Sequence, residues 1–168
     1  MKDMNTQLSN LRDLMTAEDY PVADPVDTAA LAGLINNAPP ADWDFHKKSA
    51  CEDIRLLLIN RKDYAEMFSI MDGAEYNGMT LYNLVQTANN EPLWSNIYVR
   101  NIEARDNEIF IDPDLTDKVL IGEDGMSVFV FNPVQDCFEI RDRVATDYVT
   151  EAHHPFSDFL SAVMGTVA

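Results

Sequence analysis

Residues 73–82 read Gly-Ala-Glu-Tyr-Asn-Gly-Met-Thr-Leu-Tyr and follow directly on an amphipathic run at 64–71. The grammar is a helix that stops, a turn carrying two glycines, and a strand. Gly73 falls where a helix C-cap needs positive φ, and Asn77-Gly78 supplies two more residues that tolerate it. Thr80 and Tyr82 alternate with Met79 and Leu81, the period of a half-buried strand.

Downstream of this switch the chain reads as strands. Segment 79–84 is the first expected strand and 97–104 the second. Segments 118–122, 127–132 and 137–143 form a meander, its turns written by Glu123-Asp124-Gly125 and by residues 133–136. In the middle strand Val128 and Val130 share one face and Phe129 and Phe131 the other, so cover on both sides is expected. A closing helix at 155–163 carries Phe156, Phe159, Leu160 and Val163, with Pro155 in its first turn.

Upstream the chain reads as helices. Met4, Leu8, Leu11, Leu14 and Met15 recur at spacings of three and four over 4–17. Pro21 and Pro25 end that helix. Asp27 caps a second through Leu31, Leu34 and Ile35, stopped by Asn36-Asn37 and Pro39-Pro40. Trp43 and Phe45 read as core anchors. A third helical run starts at Ser49 or Ala50 with Ile54, Leu57 and Leu58 on one face. It continues through Tyr64, Met67, Phe68 and Met71, with Asp63 as a second N-cap, as one kinked helix or two short ones. Helices, then antiparallel strands, then one helix define an α+β class: a single domain over 1–168, largely one antiparallel sheet with N-terminal helices over 1–63 and a closing C-terminal helix.

Composition narrows function. The 168 residues carry 29 Asp and Glu against 12 Lys and Arg, a formal charge of −17. Such a field repels nucleic acid and anionic membranes and accelerates encounter with a basic protein. It also serves plain solubility. The longest apolar runs are too short to span a bilayer, and the first residues carry no apolar core of a signal peptide. Two cysteines, with nothing pointing to secretion, predict free thiols in a cytoplasm.

Enzyme chemistry finds little to stand on. Cys51 sits near the polar start of a helix, where the dipole would lower its pKa. However, His46, His153 and His154 fall in no pattern that positions a base for Cys51 or Cys137. Asp112, Asp114, Thr116, Val119 and Glu123 fit positions of a calcium loop, but Asp117 stands where its sharp turn needs glycine. His153-His154 has no second ligand pair at zinc spacing, and no phosphate-binding glycine loop is present. The expectation is no catalytic residue, no metal and no cofactor. What remains is an acidic run: Glu103, Asp106, Glu108, Asp112, Asp114, Asp117, Glu123 and Asp124. It is either a solvated edge that blocks sheet-to-sheet pairing or a surface that faces a partner, with Glu75 and Tyr76 of the turn as further candidates.

Three stretches carry a resemblance: 64–82 (YAEMFSIMDGAEYNGMTLY), 118–143 (KVLIGEDGMSVFVFNPVQDCFEIRDR) and the F-x-x-F-L of 156–160. Together they span 64–163 and resemble the SUKH superfamily, in particular its YrhA-like branch. Residues 36–62 depart from it, lacking the Gly and Leu-Pro that usually precede the helix. Members are mostly immunity proteins that bind and neutralise toxins of competing bacteria; a yeast cell-wall-synthesis regulator shares the superfamily. The resemblance implies a non-enzymatic, cytoplasmic binder that occludes the active site of a cognate toxin, a basic nuclease fitting the charge. A regulatory interaction module with no toxin partner is the alternative. Function carried by fold is analogy.

Overall fold

The computed structural model describes residues 3–165. Helices α1 (Met4–Ala17), α2 (Thr28–Asn36) and α3 (Phe45–Asn60) each start behind an aspartate, Asp3, Asp27 and Asp44, whose carboxylate accepts N–H groups of the first turn. Asp44 thereby starts α3 ahead of the expected Ser49 or Ala50. After Arg61 the chain enters α4 (Lys62–Phe68), so the run is two helices. Asp63 does not cap α4 from the N-cap position. It accepts the N–H groups of Tyr64 and Phe156, the latter at 2.9 Å, and so joins α4 to the chain's last helix.

The strands are β1 (Ala74–Tyr76), β2 (Met79–Leu81), β3 (Thr87–Ala88) and β4 (Glu91–Pro92). After α5 (Ile97–Arg105) come β5 (Val119–Glu123), β6 (Ser127–Asn132), β7 (Cys137–Asp142), β8 (Val149–His153) and the closing α6 (Phe156–Gly165). Six strands form one sheet in the order β1-β2-β5-β6-β7-β8, antiparallel at every pairing, and β3–β4 is a separate ribbon. The α+β architecture expected from the sequence is the one observed.

The positive φ expected at Asn77 and Gly78 is observed, 53° and 88°, but the turn joins two strands, because Ala74–Tyr76 pairs with Met79–Leu81 where a helix-to-strand turn was expected. Gly73 is also at positive φ, 76°, but it is not a helix cap, since α4 ends at Phe68. A Cβ there would stand 2.6 Å from the carbonyl oxygen of Leu81 and 3.0 Å from the nitrogen of Asn83. Gly73 therefore serves the close approach of two backbones. Met79, Thr80, Leu81 and Tyr82 are all buried rather than alternating, because β2 lies inside the sheet. It also stops short of the expected residue 84. The N–H groups of Leu84 and Val85 turn to the carboxylate of Asp72 at 2.6 and 3.0 Å.

The expected strand at 97–104 is a helix. Its Ile-Tyr-Val start has strand composition, but the side chain of Asn96 accepts the N–H groups of Tyr98 and Val99 at 2.9 and 3.1 Å and nucleates α5. The helix still completes the sheet. Beyond Tyr82 the free edge of β5 has no strand neighbour, and the Asn101 amide donates to the carbonyl of Leu120 and accepts its N–H, at 2.9 and 2.8 Å. One turn on, Arg105 donates to the carbonyl of Lys118. These two side chains stand in for a missing strand, satisfying groups whose burial unpaired costs about 1–3 kcal/mol each.

The core lies between the sheet and α1, α4 and α6. Cross-strand pairing puts Phe129 beside Ile140 and Phe131 beside Phe138 on one face. There Tyr64, Phe156 and Phe159 meet them with ring centroids 5.0–5.8 Å apart. Each such ring is worth about 1.5–3 kcal/mol of burial. Trp43 and Phe45 take no part: they are 37% and 75% exposed, lying at the α2–α3 connector and the first residue of α3, outside the packed layers. The segment 106–118 crosses the opposite face of the sheet.

Candidate functional site

The 106–118 segment is a strap, and its attachment points are specific. On that second face Val130 pairs with Glu139 and Val128 with Arg141. Arg141 lies bidentate on one oxygen of Glu139, at 2.9 and 2.8 Å, and its Nη1 donates to the carbonyls of Thr146 and Asp114. The Thr146 hydroxyl donates to Asp112 at 2.5 Å. The strap is thus tied to the β7–β8 turn. That turn is tied to the β5–β6 turn through the Arg143 N–H on the Met126 carbonyl. Leu115 packs inward on the core from the strap's second half.

Between α5 and those ties the strap presents Ile109, Phe110 and Ile111, which are 95%, 68% and 41% exposed. Val144 and Met126, on the two stitched turns, are also exposed. Soluble proteins keep contiguous apolar surface small, and apolar groups rimmed by polar ones mark contact sites. Here the rim is acidic. Nearby cations are committed elsewhere: Arg105 to Asp53 at 2.7 Å, Lys118 to Asp117 at 2.6 Å, and Arg143 to Glu123 at 3.0 Å. The Lys118 ammonium holds the Asp117 carboxyl below its usual range. Asp106, Glu108 and Asp114 have no cationic partner among the described residues.

The structure separates the candidate residues from the sequence. Asp106, Glu108, Asp114 and Asp117 are exposed together on the strap. Asp112 is half-buried and fixes the strap's own fold through Thr146 and the Asp114 N–H. Glu123 is not a free acid. It accepts the Tyr82 hydroxyl at 2.6 Å and pairs with Arg143 and Arg100, which makes it a clamp between β2, α5 and the β7–β8 turn. Asp124 accepts the N–H groups of Met126 and Ser127 and shapes the turn. Glu103 pairs with Arg100 on the surface of α5. Tyr76 is only 3% exposed and packs edge-on against Tyr20, so it is unavailable to a partner. Glu75 is exposed, but on β1, four strand spacings from β7, about 19 Å away. The structure does not bring it to the strap. Ile109-Phe110-Ile111 escaped the sequence reading, although three consecutive apolar residues among acids and before a proline were the available signal.

Neither thiol has the setting of a nucleophile. Cys51 lies in the second turn of α3, past the reach of the helix dipole expected to lower its pKa. Burial raises it instead, against the pull of Lys47 and Arg105. Burial also raises Cys137, helped by Glu139 and Asp136. Among the described residues no group of three or more His, Cys, Asp or Glu could hold a metal ion, and no helix is long and apolar enough to cross a membrane.

Fold and surface together define an acidic α+β protein with an apolar loop ringed by unpaired carboxylates. By sequence it is similar to YrhA of Escherichia coli (strain K12), an uncharacterised protein, with 29% identity over 127 residues that take in 76% of this chain and 90% of the relative. No family model matches the chain, and no solved structure matches it.

Proposed function

We propose that this protein is a non-enzymatic inhibitor of the SUKH immunity type, which binds a basic bacterial toxin through the 106–118 strap and covers the toxin's active site from the cytoplasm. The observation that carries the reading is the strap itself. Exposed Ile109, Phe110 and Ile111 supply apolar anchors, and Asp106, Glu108 and Asp114 supply a rim free to meet cations. Apolar anchors within a charged rim are what stable protein contacts use. The sequence likeness to YrhA supports descent only, since that relative is uncharacterised.

The test starts from the genes. An inhibitor of this type is expected beside the gene of its toxin, and a regulatory module is not. The product of that neighbour is then assayed for killing with and without this chain. Protection by the parent and its loss on Phe110→Ala, in a variant of unchanged thermal midpoint, supports the reading. A variant that protects fully removes the strap from the contact. Truncating a central aromatic anchor costs about 2 kcal/mol or more of binding.

A further inference from the structure

We infer that the cleft between α2, α3 and α5 is a binding site for a small organic carboxylate with an apolar body. The cleft is open to solvent on one side and offers about 640 Å³, within the range of about 300–1,000 Å³ typical of small-ligand sites. Its apolar walls come from Leu34 of α2 and from Val99 and Ile102 of α5. On α3 one stripe faces it at four-residue spacing: Lys47, Cys51 and Arg55, with Trp43 a turn before the first. That spacing puts the three on a single helix face.

The charge of this lining is opposite to that of the molecule. The chain carries 29 acids and 12 Lys and Arg, yet two cations and no carboxylate line the cleft. The two cations differ in freedom. Arg55 is held by the Ile35 carbonyl at 2.9 Å and by Glu52 at 3.0 Å, which fastens α3 to α2. The Lys47 ammonium lies 4.0 Å from the Trp43 ring centroid and has no carboxylate partner among the described residues. An ammonium on an indole face at the mouth of an apolar cleft suits an anion whose hydrophobic part goes inward. α2 closes one side of the cleft and is seated by half-buried Leu31, Leu34 and Ile35, which pack against the core, so the wall that an occupant would meet is already in place. The Cys51 thiol keeps its proton there and adds no negative charge.

The test uses 4-phenylbutyrate and its uncharged analogue 4-phenylbutanol, titrated into the full chain. The Trp94→Phe background leaves Trp43 as the emitting tryptophan. The expected result is one-to-one saturation of Trp43 emission by the acid. It should bind about tenfold more tightly than the alcohol, the factor of one charge-assisted hydrogen bond. Lys47→Met should abolish that preference while leaving the alcohol's affinity unchanged, which a purely structural role for Lys47 would not do. Amide shifts of the parent with the acid should concentrate at Leu34, Val99 and Ile102, locating the site without any variant. The proposal is overturned by absence of saturation, by equal affinity for acid and alcohol, by a preference that survives Lys47→Met, or by shifts centred elsewhere.

Discussion

Gly73 and Gly78 both adopt positive φ, yet a side chain would meet different surroundings at each. Nothing lies within 4 Å of a Cβ placed on Gly78, whereas one on Gly73 would press into the backbone of Leu81 and Asn83. Gly78→Val thus adds strain alone, about 1–3 kcal/mol. Gly73→Val adds a backbone clash that no rotamer relieves, and should cost clearly more. Urea midpoints of the two variants settle the order, and Gly78 proving the more sensitive would refute it. Asp72 invites a similar experiment. Burial raises its pKa, while the N–H groups of Leu84, Val85 and Gln86 pull it back down. Asp72→Ala would leave the Leu84 and Val85 donors unmatched, at about 1–3 kcal/mol each. A loss below 1 kcal/mol in the same midpoint measurement would mean the chain end of β2 rearranges around the gap.

At the scale of elements, the junction of α3, α4 and α6 rests on Arg61 and Asp63. Arg61 is buried, pairs with Asp63 and Asp136, donates to the carbonyl of His154 and sits over the Phe138 ring, 4.6 Å from its centroid. Arg61→Met keeps the stem's packing but loses those bonds, and should cost about 2–3 kcal/mol. Asp63 makes this junction sensitive to acid. Burial alone would raise its pKa, but the Arg61 guanidinium and the Phe156 and Tyr64 N–H groups outweigh it and leave it low. A depressed carboxylate stabilises fully above its unfolded value, about pH 4, and the contribution fades as pH falls through the folded value. The stability gap between parent and Asp63→Asn should therefore narrow from pH 6 to about pH 3. A gap that stays constant would show that the Asp63 charge plays no part. This junction also marks the limit of what the sequence made legible. The turns at Asn77-Gly78, at Asp124-Gly125 and at 133–136 were readable because turn chemistry is local, whereas the short strand Ala74–Tyr76 that makes the first of them a hairpin was not. The partner of Asp63 lies 93 residues away at Phe156, and nothing in its immediate neighbours signals that. α5 was misread for a related reason, its strand-like composition being overridden by one capping amide at Asn96. β8 was not anticipated, since Val-Thr-Glu-Ala-His lies on an edge, mostly exposed, and buries no apolar stripe.

For the molecule as a whole, the decisive quantity is where the charge of −17 goes unanswered. Glu123, Asp124 and Asp112 build the fold, and Glu103 and Asp117 are ion-paired on the surface, so the linear run overstated the binding surface. Three remain free on the strap: Asp106, Glu108 and Asp114. Replacing them together by lysine changes local charge by six units without removing any side-chain bond that ties the strap down. Exposed charges contribute about 0–1 kcal/mol each to stability, and relieving self-repulsion works in the same direction as folding. The thermal midpoint should therefore hold or rise. Association with a basic partner should slow, because steering depends on the summed field near the contact. At physiological salt the screening length is about 8 Å, so the parent's advantage should be largest at low ionic strength and shrink as salt is added. The dissociation rate, set by the desolvated anchors around Phe110, should change much less. Stopped-flow kinetics of parent and triple variant at two salt concentrations separate these effects. If the two chains associate equally fast at both concentrations, the strap's acids serve solubility. The partner would then have to meet another face of the sheet, with Glu75 on β1 the remaining exposed acid of the turn.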